Sequence, residues 1–242
     1  MDWTVPPQTP FPPPGELYAL LAELDVAPAR LSQLIAAFAS RERQRASSFA
    51  TDALRNRWSV ARGTLREVLG RALRIPPEGV ALRYRPHGKP ELEPDCAPDA
   101  ASLRFNLSHS GSRALILLAR VEVGADIEHL RKRRTDDIAR RFFAPGEQQR
   151  LFALPADARE AEFFRLWTCK EAFLKVTGEG LSRSTRSYEI ELRGAGARLL
   201  WADGTPDAAQ RYSVFPLEPG SGYAAAAFAE AQELALRRFR WP

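Results

Sequence analysis

Cysteine is scarce in this chain, since only Cys96 and Cys169 carry a thiol among 242 residues. Their separation fits neither a metal-binding spacing nor the paired cysteines of a disulfide-rich secreted domain. We therefore expect two free thiols in a reducing, cytoplasmic environment. Cys169 is expected to be a core residue rather than a nucleophile.

Long apolar segments are missing as well. No run reaches the roughly 18 apolar residues that a membrane-spanning helix needs, and no basic segment followed by an apolar one opens the sequence. The prediction is a non-exported protein without a membrane partner. Hydrophobic residues still make up 45% of the chain, enough for a buried core. The length allows one large domain or two small ones.

Positive charge is in excess, with 35 Lys and Arg residues against 30 Asp and Glu residues. Much of the excess is arginine clustered over residues 41–66 and 131–141. Such a balance favours an anionic partner, which could be nucleic acid, a phosphorylated small molecule or an acidic protein. For any single arginine, a solvated helix face is the simpler explanation.

The hydrophobic pattern predicts an α+β chain. A proline-rich arm over residues 1–15 is expected to be extended. Helices are predicted over 17–24, 31–38, 40–70 and 158–175 and from about Asp136 and Pro145, and strands over 80–84, 103–107, 114–118, 121–127, 188–192, 212–215 and 223–228. The strands over 114–118 and 121–127 are expected to pair through a turn at Arg120. A helical block followed by strands occurs twice, which favours two α+β halves, residues 16–120 and 121–242.

Residues 167–175 (WTCKEAFLK) combine an apolar helical stripe with unexpected charges. Lys170 falls within the stripe, whereas Glu171 and Lys175 are four residues apart and therefore neighbours at its edge. A carboxylate between lysines is typical of a metal or phosphate site, because a lysine on an apolar face needs an anion. An ordinary salt-bridged core helix is the alternative.

Two carboxylates also lie two residues apart on a predicted strand, in residues 124–128 (GADIE). Asp126 and Glu128 therefore share one face of that strand. Carboxylates that point together repel each other unless a cation joins them, and oxygen ligands suit Mg²⁺. Glu171 could supply a third carboxylate. The alternative is a strand end with solvated acids.

A polar group follows the predicted strand over 103–107. His109, flanked by Ser108 and Ser110, would stand at the end of this strand. A lone histidine is more often a hydrogen-bonded structural residue than a catalytic one. Its position at a strand end between two serines favours a functional role.

These motifs, in this order, resemble the signature of the 4'-phosphopantetheinyl transferases, in the larger two-halved type that activates nonribosomal peptide and polyketide synthases. The residues concerned are 105–111 (FNLSHSG), 124–128 and 167–175, with further landmarks at 88–90 (GKP), 141–143 (RFF) and 178–182 (GEGLS). The resemblance covers about residues 41–182. It implies a pseudo-twofold arrangement of two similar α/β halves with the active site in the cleft between them, in a monomer.

The resemblance also implies a reaction. The 4'-phosphopantetheine group of coenzyme A would pass to a serine hydroxyl of an apo acyl or peptidyl carrier protein, with Mg²⁺ as cofactor and adenosine 3',5'-bisphosphate as the second product. A small acidic carrier protein suits the basic surface of this chain.

Residue roles follow from the same resemblance. Mg²⁺ is assigned to Asp126, Glu128 and Glu171. The contacts with coenzyme A are assigned to Lys175 and His109 at the phosphates, Lys89 and Arg57 at the adenosine end, Ser108 at the nucleotide, and also to Arg45, Pro90 and Lys170. The catalytic residues are Glu171, as the candidate base for the serine proton, Lys175 and His109.

Two positions are left open. Lys170 could approach the phosphates or the catalytic acids, or it could pair with a buried carboxylate. Glu42 stands where some family members have a base, which leaves the 3'-phosphate contacts undecided.

The alternative function is a noncatalytic basic nucleic-acid-binding module. The chain lacks a recognisable nucleic-acid motif, and its acidic residues would repel a phosphate backbone unless they hold a metal. We therefore expect no nucleic-acid partner.

Overall fold

The computed structural model describes residues 2–131, 134–180 and 183–242, and it divides into two compact units. The first unit extends to Arg120 and also contains Leu236–Pro242, and the second is Val121–Ala235. The division after Arg120 lies where the sequence analysis places it. The C-terminal residues, however, belong to the first unit rather than to the second half.

The predicted α+β class is confirmed. In chain order the elements are β1 (Glu16–Glu23), α1 (Pro28–Ala36), α2 (Ser40–Ser47), α3 (Asp52–Leu73), β2 (Leu82–Tyr84), β3 (Pro90–Leu92), β4 (Arg104–Ser110), β5 (Arg113–Ala119), β6 (Val123–His129), α4 (Thr135–Phe142), α5 (Pro145–Phe152), α6 (Ala156–Thr177), β7 (Tyr188–Arg193), β8 (Gly196–Ala202), β9 (Ser213–Leu217), β10 (Tyr223–Ala229) and β11 (Ala235–Arg240). Within the described residues, no helix is both long and apolar enough to cross a membrane.

The first unit is built on a four-stranded sheet with the order β11-β1-β5-β4. The helix predicted over residues 17–24 is wrong, because this segment is strand β1. Residues 17–22 are all buried. Since alternate residues of a strand point to opposite faces, both faces of β1 are covered, and the strand lacks the alternation that would have identified it. A short continuous apolar run cannot be assigned to a helix or a strand by periodicity alone.

The long helix predicted over residues 40–70 is interrupted. It forms α2 and α3, and the Thr51 hydroxyl caps α3 by accepting a hydrogen bond from the Leu54 amide at 3.3 Å. Leu54 is 55% exposed, since it lies in the first turn of α3 after the cap. The later apolar residues of α3, such as Leu65 and Leu69, are fully buried.

The strands predicted around Arg120 do not form a hairpin. Strand β5 pairs with β1 and β4 in the first unit, whereas β6 pairs with β10 in the second. The predicted pairing is therefore wrong, since Arg120 lies at the boundary between units and not at a β-turn. Two apolar strands that are adjacent in sequence gave no sign that they belong to different sheets.

Residues 2–15 of the N-terminal arm form no helix and no regular strand, and they are attached to the first unit. The Thr4 amide donates to the Arg238 carbonyl at 3.1 Å. Arg120 donates to the Pro12 carbonyl at 3.1 Å, and its guanidinium lies 4.9 Å from the centre of the Phe11 ring. Hydrogen bonds and a cation–π contact therefore hold the arm on this unit.

The second unit packs α6 on a three-stranded sheet with the order β6-β10-β9, beside the hairpin β7-β8. Its core is rich in aromatic rings: Phe173 contacts both Tyr188 and Phe228, at centroid distances of 4.5 and 5.1 Å. The apolar stripe that predicted α6 faces this core. The strands predicted here are present as β6, β7, β9 and β10, and β8 is an additional one.

Strand β6 approaches α6 so closely that position 124 has no room for a side chain. A Cβ atom at Gly124 would lie 2.0 Å from the Ala172 carbonyl oxygen and 2.4 Å from the Val176 nitrogen. Since alternate residues of a strand share a face, Gly124, Asp126 and Glu128 face the same way. The glycine therefore brings the acidic face of β6 directly against α6.

Substitution of Gly124 by alanine should destabilise the protein by about 1–3 kcal/mol or more, because strand and helix must separate to admit a methyl group. Urea unfolding at pH 7 measures the change. Gly79→Ala is the matched control, since its added Cβ would have no neighbour nearer than 3.7 Å. Equal stabilities of the two variants would contradict this explanation of Gly124.

Candidate active site

An acidic cluster with one lysine forms where β6 meets α6. Strand β6 supplies Asp126 and Glu128, and α6 supplies Glu171 and Lys175. The Lys175 ammonium lies 2.7 Å from Asp126 Oδ1. The Asp126 side chain is 7% exposed and that of Lys175 is 31% exposed, so the lysine covers the carboxylate and also reaches solvent.

The carboxylates of this cluster act on one another. The pKa of Glu171 is raised, first by burial and then by the charge of Asp126, with a smaller contribution from Glu128, while Lys175 opposes the shift. Three acidic side chains thus share one partly buried region, in which Lys175 pairs with Asp126. A divalent cation would relieve this repulsion.

The donor set fits Mg²⁺, since it consists of carboxylate oxygens. In the described part of the chain, no three acidic, histidine or cysteine side chains stand ready in a metal-binding arrangement. In this structure, the ammonium of Lys175 forms an ion pair with Asp126. Assignment of the metal to Asp126, Glu128 and Glu171 is therefore taken up below as a proposal.

Lys170 lies on a different side of α6 and is 1% exposed. Its ammonium donates to both carboxylate oxygens of Glu147, at 2.8 Å each, and to the Tyr188 carbonyl at 3.2 Å. Among the open alternatives, Lys170 thus pairs with a buried carboxylate. The predicted contact between Lys170 and coenzyme A is corrected accordingly, because its three hydrogens are already used inside the protein.

Glu147 is the residue that the sequence analysis missed. Its carboxylate also accepts from the Ala144 amide at 2.7 Å and the Ile190 amide at 2.8 Å. The signal for it was indirect: a lysine within an apolar stripe requires a buried anion. Helix α5 begins at Pro145, directly after Ala144, and Glu147 is its third residue. A glutamate at this position is typical of helix capping.

Cys169 is also on α6 and is fully buried. Burial raises the pKa of its thiol to about 12, so it carries no thiolate near neutral pH. This agrees with the prediction of a core thiol. Cys96 is partly exposed, and both cysteines are free.

We expect one thiol per chain to react rapidly with an aromatic disulfide reagent at pH 8 in the native protein, and two after denaturation. Cys96 should be the reactive one, because only its sulfur is accessible and the thiolate is the reacting form. Rapid reaction that persists in Cys96→Ser would contradict the buried placement of Cys169.

The predicted nucleotide-binding residues Ser108 and His109 lie on β4 in the first unit. They are successive residues and so point to opposite faces: Ser108 is buried and His109 is exposed. Their partners on β5 are Leu115 and Ala114. The strand therefore offers the imidazole, rather than the serine hydroxyl, to solvent.

Lys89 and Pro90 follow a tight turn. Gly88 has a φ of +85°, a conformation that favours glycine, and the Arg85 amide donates to the Lys89 carbonyl at 2.9 Å. Pro90 begins β3. This geometry explains the order Gly-Lys-Pro: the glycine makes the turn, and the proline enters a short two-stranded sheet.

Two predicted phosphate-binding arginines have intramolecular contacts. Arg57 donates to both oxygens of Asp25, at 2.7 and 2.9 Å, and this bond lowers the pKa of Asp25. The Arg45 guanidinium lies 4.9 Å from the centre of the Phe49 ring. A phosphate at Arg57 would share the guanidinium with Asp25.

Glu42 has a structural role. Its buried carboxylate accepts from Arg62 at 2.5 Å and from Arg66 at 2.7 Å. It also accepts from the Ala39 amide at 3.0 Å, at the start of α2. Glu42, at the position where a basic residue was the alternative, is thus the centre of a buried ion-pair group with Arg62 and Arg66.

The remaining landmarks are partly described. Phe143 stacks on Phe163 at 5.3 Å between ring centres, so the Arg-Phe-Phe landmark belongs to the core beside α6. Gly178 ends α6 with a φ of +74°. Leu181 and Ser182, of the Gly-Glu-Gly-Leu-Ser landmark, lie outside the described residues, as do Lys132 and Arg133 of the basic segment.

Comparison with known families gives two matches. The sequence model of the 4'-phosphopantetheinyl transferase superfamily matches residues 122–228. The model described as 4'-phosphopantetheinyl transferase, N-terminal, matches residues 25–121. The second unit, with the acidic cluster, and the first unit, with Ser108 and His109, are each covered by one model.

Individual relatives agree with these families. The chain is 38% identical over 170 residues to 4'-phosphopantetheinyl transferase HetI of Nostoc sp. strain PCC 7120, covering 69% of this chain and 71% of that protein. It is 28% identical to a 4'-phosphopantetheinyl transferase of Bacillus subtilis, covering 75% and 78% of the two chains. It is 33% identical to 4'-phosphopantetheinyl transferase Sfp of Bacillus subtilis strain 168, covering 54% and 56%.

Proposed function

The chain belongs to the 4'-phosphopantetheinyl transferases and transfers phosphopantetheine from coenzyme A to a carrier protein, and we propose that Asp126, Glu128 and Glu171 hold Mg²⁺ for this reaction. The observation that carries the proposal is the acidic cluster between β6 and α6. Burial and then the charge of Asp126 raise the pKa of Glu171, and Asp126 is itself a buried acid that Lys175 covers. Buried charges of this kind contribute little to the stability of the fold, whereas they can bind a cation and a phosphate.

The reaction is displacement at phosphorus, so the protein mainly positions groups and neutralises charge. When bound, Mg²⁺ neutralises charge on the pyrophosphate oxygens. Lys175 can act on the same group, because its ammonium has three hydrogens and reaches solvent beside Asp126. We assign to Lys175 a charge-assisted hydrogen bond to a phosphate oxygen.

Proton acceptance is assigned to Glu171. Glu171 lies beside Asp126 and Lys175, so its carboxylate is next to the groups assigned to the metal and the phosphate and can accept the proton there. The serine oxygen of the carrier forms the new bond to phosphorus, and its proton passes to Glu171. The bond from phosphorus to adenosine 3',5'-bisphosphate breaks, and the bisphosphate leaves with the bonding electron pair.

Coenzyme A binding is assigned to residues of the first unit. His109 is exposed and suits a phosphate, and Ser108 is assigned a hydrogen bond to the nucleotide. Lys89, with its neighbour Pro90, and Arg57 are assigned to the adenosine end, and Arg45 to the same basic region. The acceptor is proposed to be a small acidic acyl or peptidyl carrier protein.

Several predictions about the whole molecule stay predictions. They are the cleft between the halves, their pseudo-twofold relation, the monomeric state and the cytoplasmic location. The alternative of a nucleic-acid-binding module finds no support in the family or in the named relatives.

Incubation with coenzyme A, Mg²⁺ and a panel of apo carrier proteins should increase the mass of at least one carrier by one phosphopantetheine group. Intact-mass spectrometry measures the gain. Apo carriers from fatty-acid, polyketide and peptide synthesis make the panel diverse. An unchanged mass for every carrier would contradict the proposed function.

Asp126→Asn should lower the transfer rate at least about a hundredfold, because it removes a charge beside the reacting phosphates. The amide keeps the size of the side chain, so circular dichroism should show an unchanged fold. Asp137→Asn, an exposed acid on α4, is the control and should transfer at the wild-type rate. Full activity of Asp126→Asn would refute the metal assignment.

A further inference from the structure

Three elements of the second unit meet at Lys170. The lysine lies on α6, Glu147 on α5 and Tyr188 at the start of β7. Lys170 and Tyr188 exchange two hydrogen bonds, since the ammonium donates to the Tyr188 carbonyl at 3.2 Å and the Tyr188 hydroxyl donates to the Lys170 carbonyl at 3.0 Å. These two hydrogen bonds fix the position of α6 relative to the start of β7.

Glu147 closes this network. It binds Lys170 through both oxygens and accepts from the Ile190 amide on β7 and from the Ala144 amide before α5. These three partners make four hydrogen bonds to the carboxylate, at 2.7–2.8 Å. One carboxylate thus fixes α5, α6 and β7 with respect to one another.

The pair is costly to bury. Burial raises the pKa of Glu147 and lowers that of Lys170, and both side chains are at most 1% exposed. A well-packed apolar pair of similar volume often gives equal or greater stability than a buried ion pair. We therefore attribute to the ion pair the fixed arrangement of α5, α6 and β7 rather than added stability.

The residue next to Lys170 is Glu171, the proposed base. We propose that Lys170, held by Glu147 and Tyr188, is a positioning residue that sets the rotation of α6 and thereby places Glu171 and Lys175 for transfer. This inference rests on the proposed function of the cluster. Close packing at Gly124 limits the approach of α6 to β6, and the Lys170 network adds directional hydrogen bonds that hold the rotation of the helix.

The size of the effect follows from helix geometry. Side chains end about 5–6 Å from the axis of a helix, so a rotation of about 10° moves the end of Glu171 by about 1 Å. A displacement of this size can lower the rate about a hundredfold. Binding of coenzyme A should change little, because its proposed contacts lie largely on the first unit.

The test is the double variant Glu147→Gln, Lys170→Met, which removes both charges and keeps the side-chain volumes. We expect a folded protein whose kcat, at saturating coenzyme A and apo carrier, falls about 10- to 100-fold. Its KM for coenzyme A should stay within about twofold of the wild-type value. A double variant with the wild-type kcat would overturn the positioning role.

Tyr188→Phe is the second variant and gives a result even where the double variant does not fold. It keeps the buried ring and removes only the hydrogen bond to the Lys170 carbonyl. Loss of one hydrogen bond should lower kcat about three- to tenfold with an unchanged KM. An unchanged kcat here would also count against the proposal.

Leu199→Ala is the matched control for lost stability. Leu199 is a buried residue of β8 in the same core, so the truncation should lower the melting temperature but leave kcat at the wild-type value. An equal fall of kcat in this control would contradict a specific role for Lys170. A wild-type protein without transfer to any carrier would instead contradict the proposed function itself.

Discussion

The contact of β6 with α6 at Gly124 is the constraint on which the site depends. A side chain at this position would meet the helix backbone at 2.0 Å, so the strand can lie where it does only with glycine there. Asp126 and Glu128 follow on the same face of the strand, and Glu171 and Lys175 are neighbours on the helix. One close packing contact thus converts two local sequence patterns into a single cluster.

The two lysines of α6 show how burial separates roles within one helix. Lys175 is 31% exposed and covers Asp126, where it can exchange partners with a phosphate. Lys170 is 1% exposed and has only internal partners. A difference of five positions places one ammonium on Asp126 in the acidic cluster and the other on Glu147 inside the core.

Local patterns in the sequence predicted which residues form the acidic cluster, and they failed where long-range contacts decide the outcome. The apolar stripe of residues 158–175 predicted the helix, and the four-residue spacing of Glu171 and Lys175 predicted its charged edge. Glu147 was missed because it is 23 residues from Lys170 and carries no local sign of burial apart from its capping position. The importance of Gly124 likewise depends on a helix that lies almost fifty residues further along the chain.

The errors in the predicted fold have the same origin. Strand β1 lies inside its sheet and its side chains are buried on both faces. Its apolar run therefore does not alternate, and the run was predicted to be a helix. The division at Arg120 separates two strands that pair with partners far away in sequence. Sheet membership is a property of the whole chain, and a window of a few residues does not contain it.

The central claim is that Asp126, Glu128 and Glu171 share one cation site in which their charges repel one another. Its most direct test is the melting temperature of the wild type and of Glu171→Gln, with and without Mg²⁺ and in the absence of coenzyme A. Because the raised pKa of Glu171 shows that its charge is unfavourable in the folded state, the variant should melt at the wild-type temperature or higher without metal. Mg²⁺ should then raise the melting temperature of the wild type and leave that of the variant almost unchanged. Equal shifts with Mg²⁺ in both proteins, or none in the wild type, would contradict the claim.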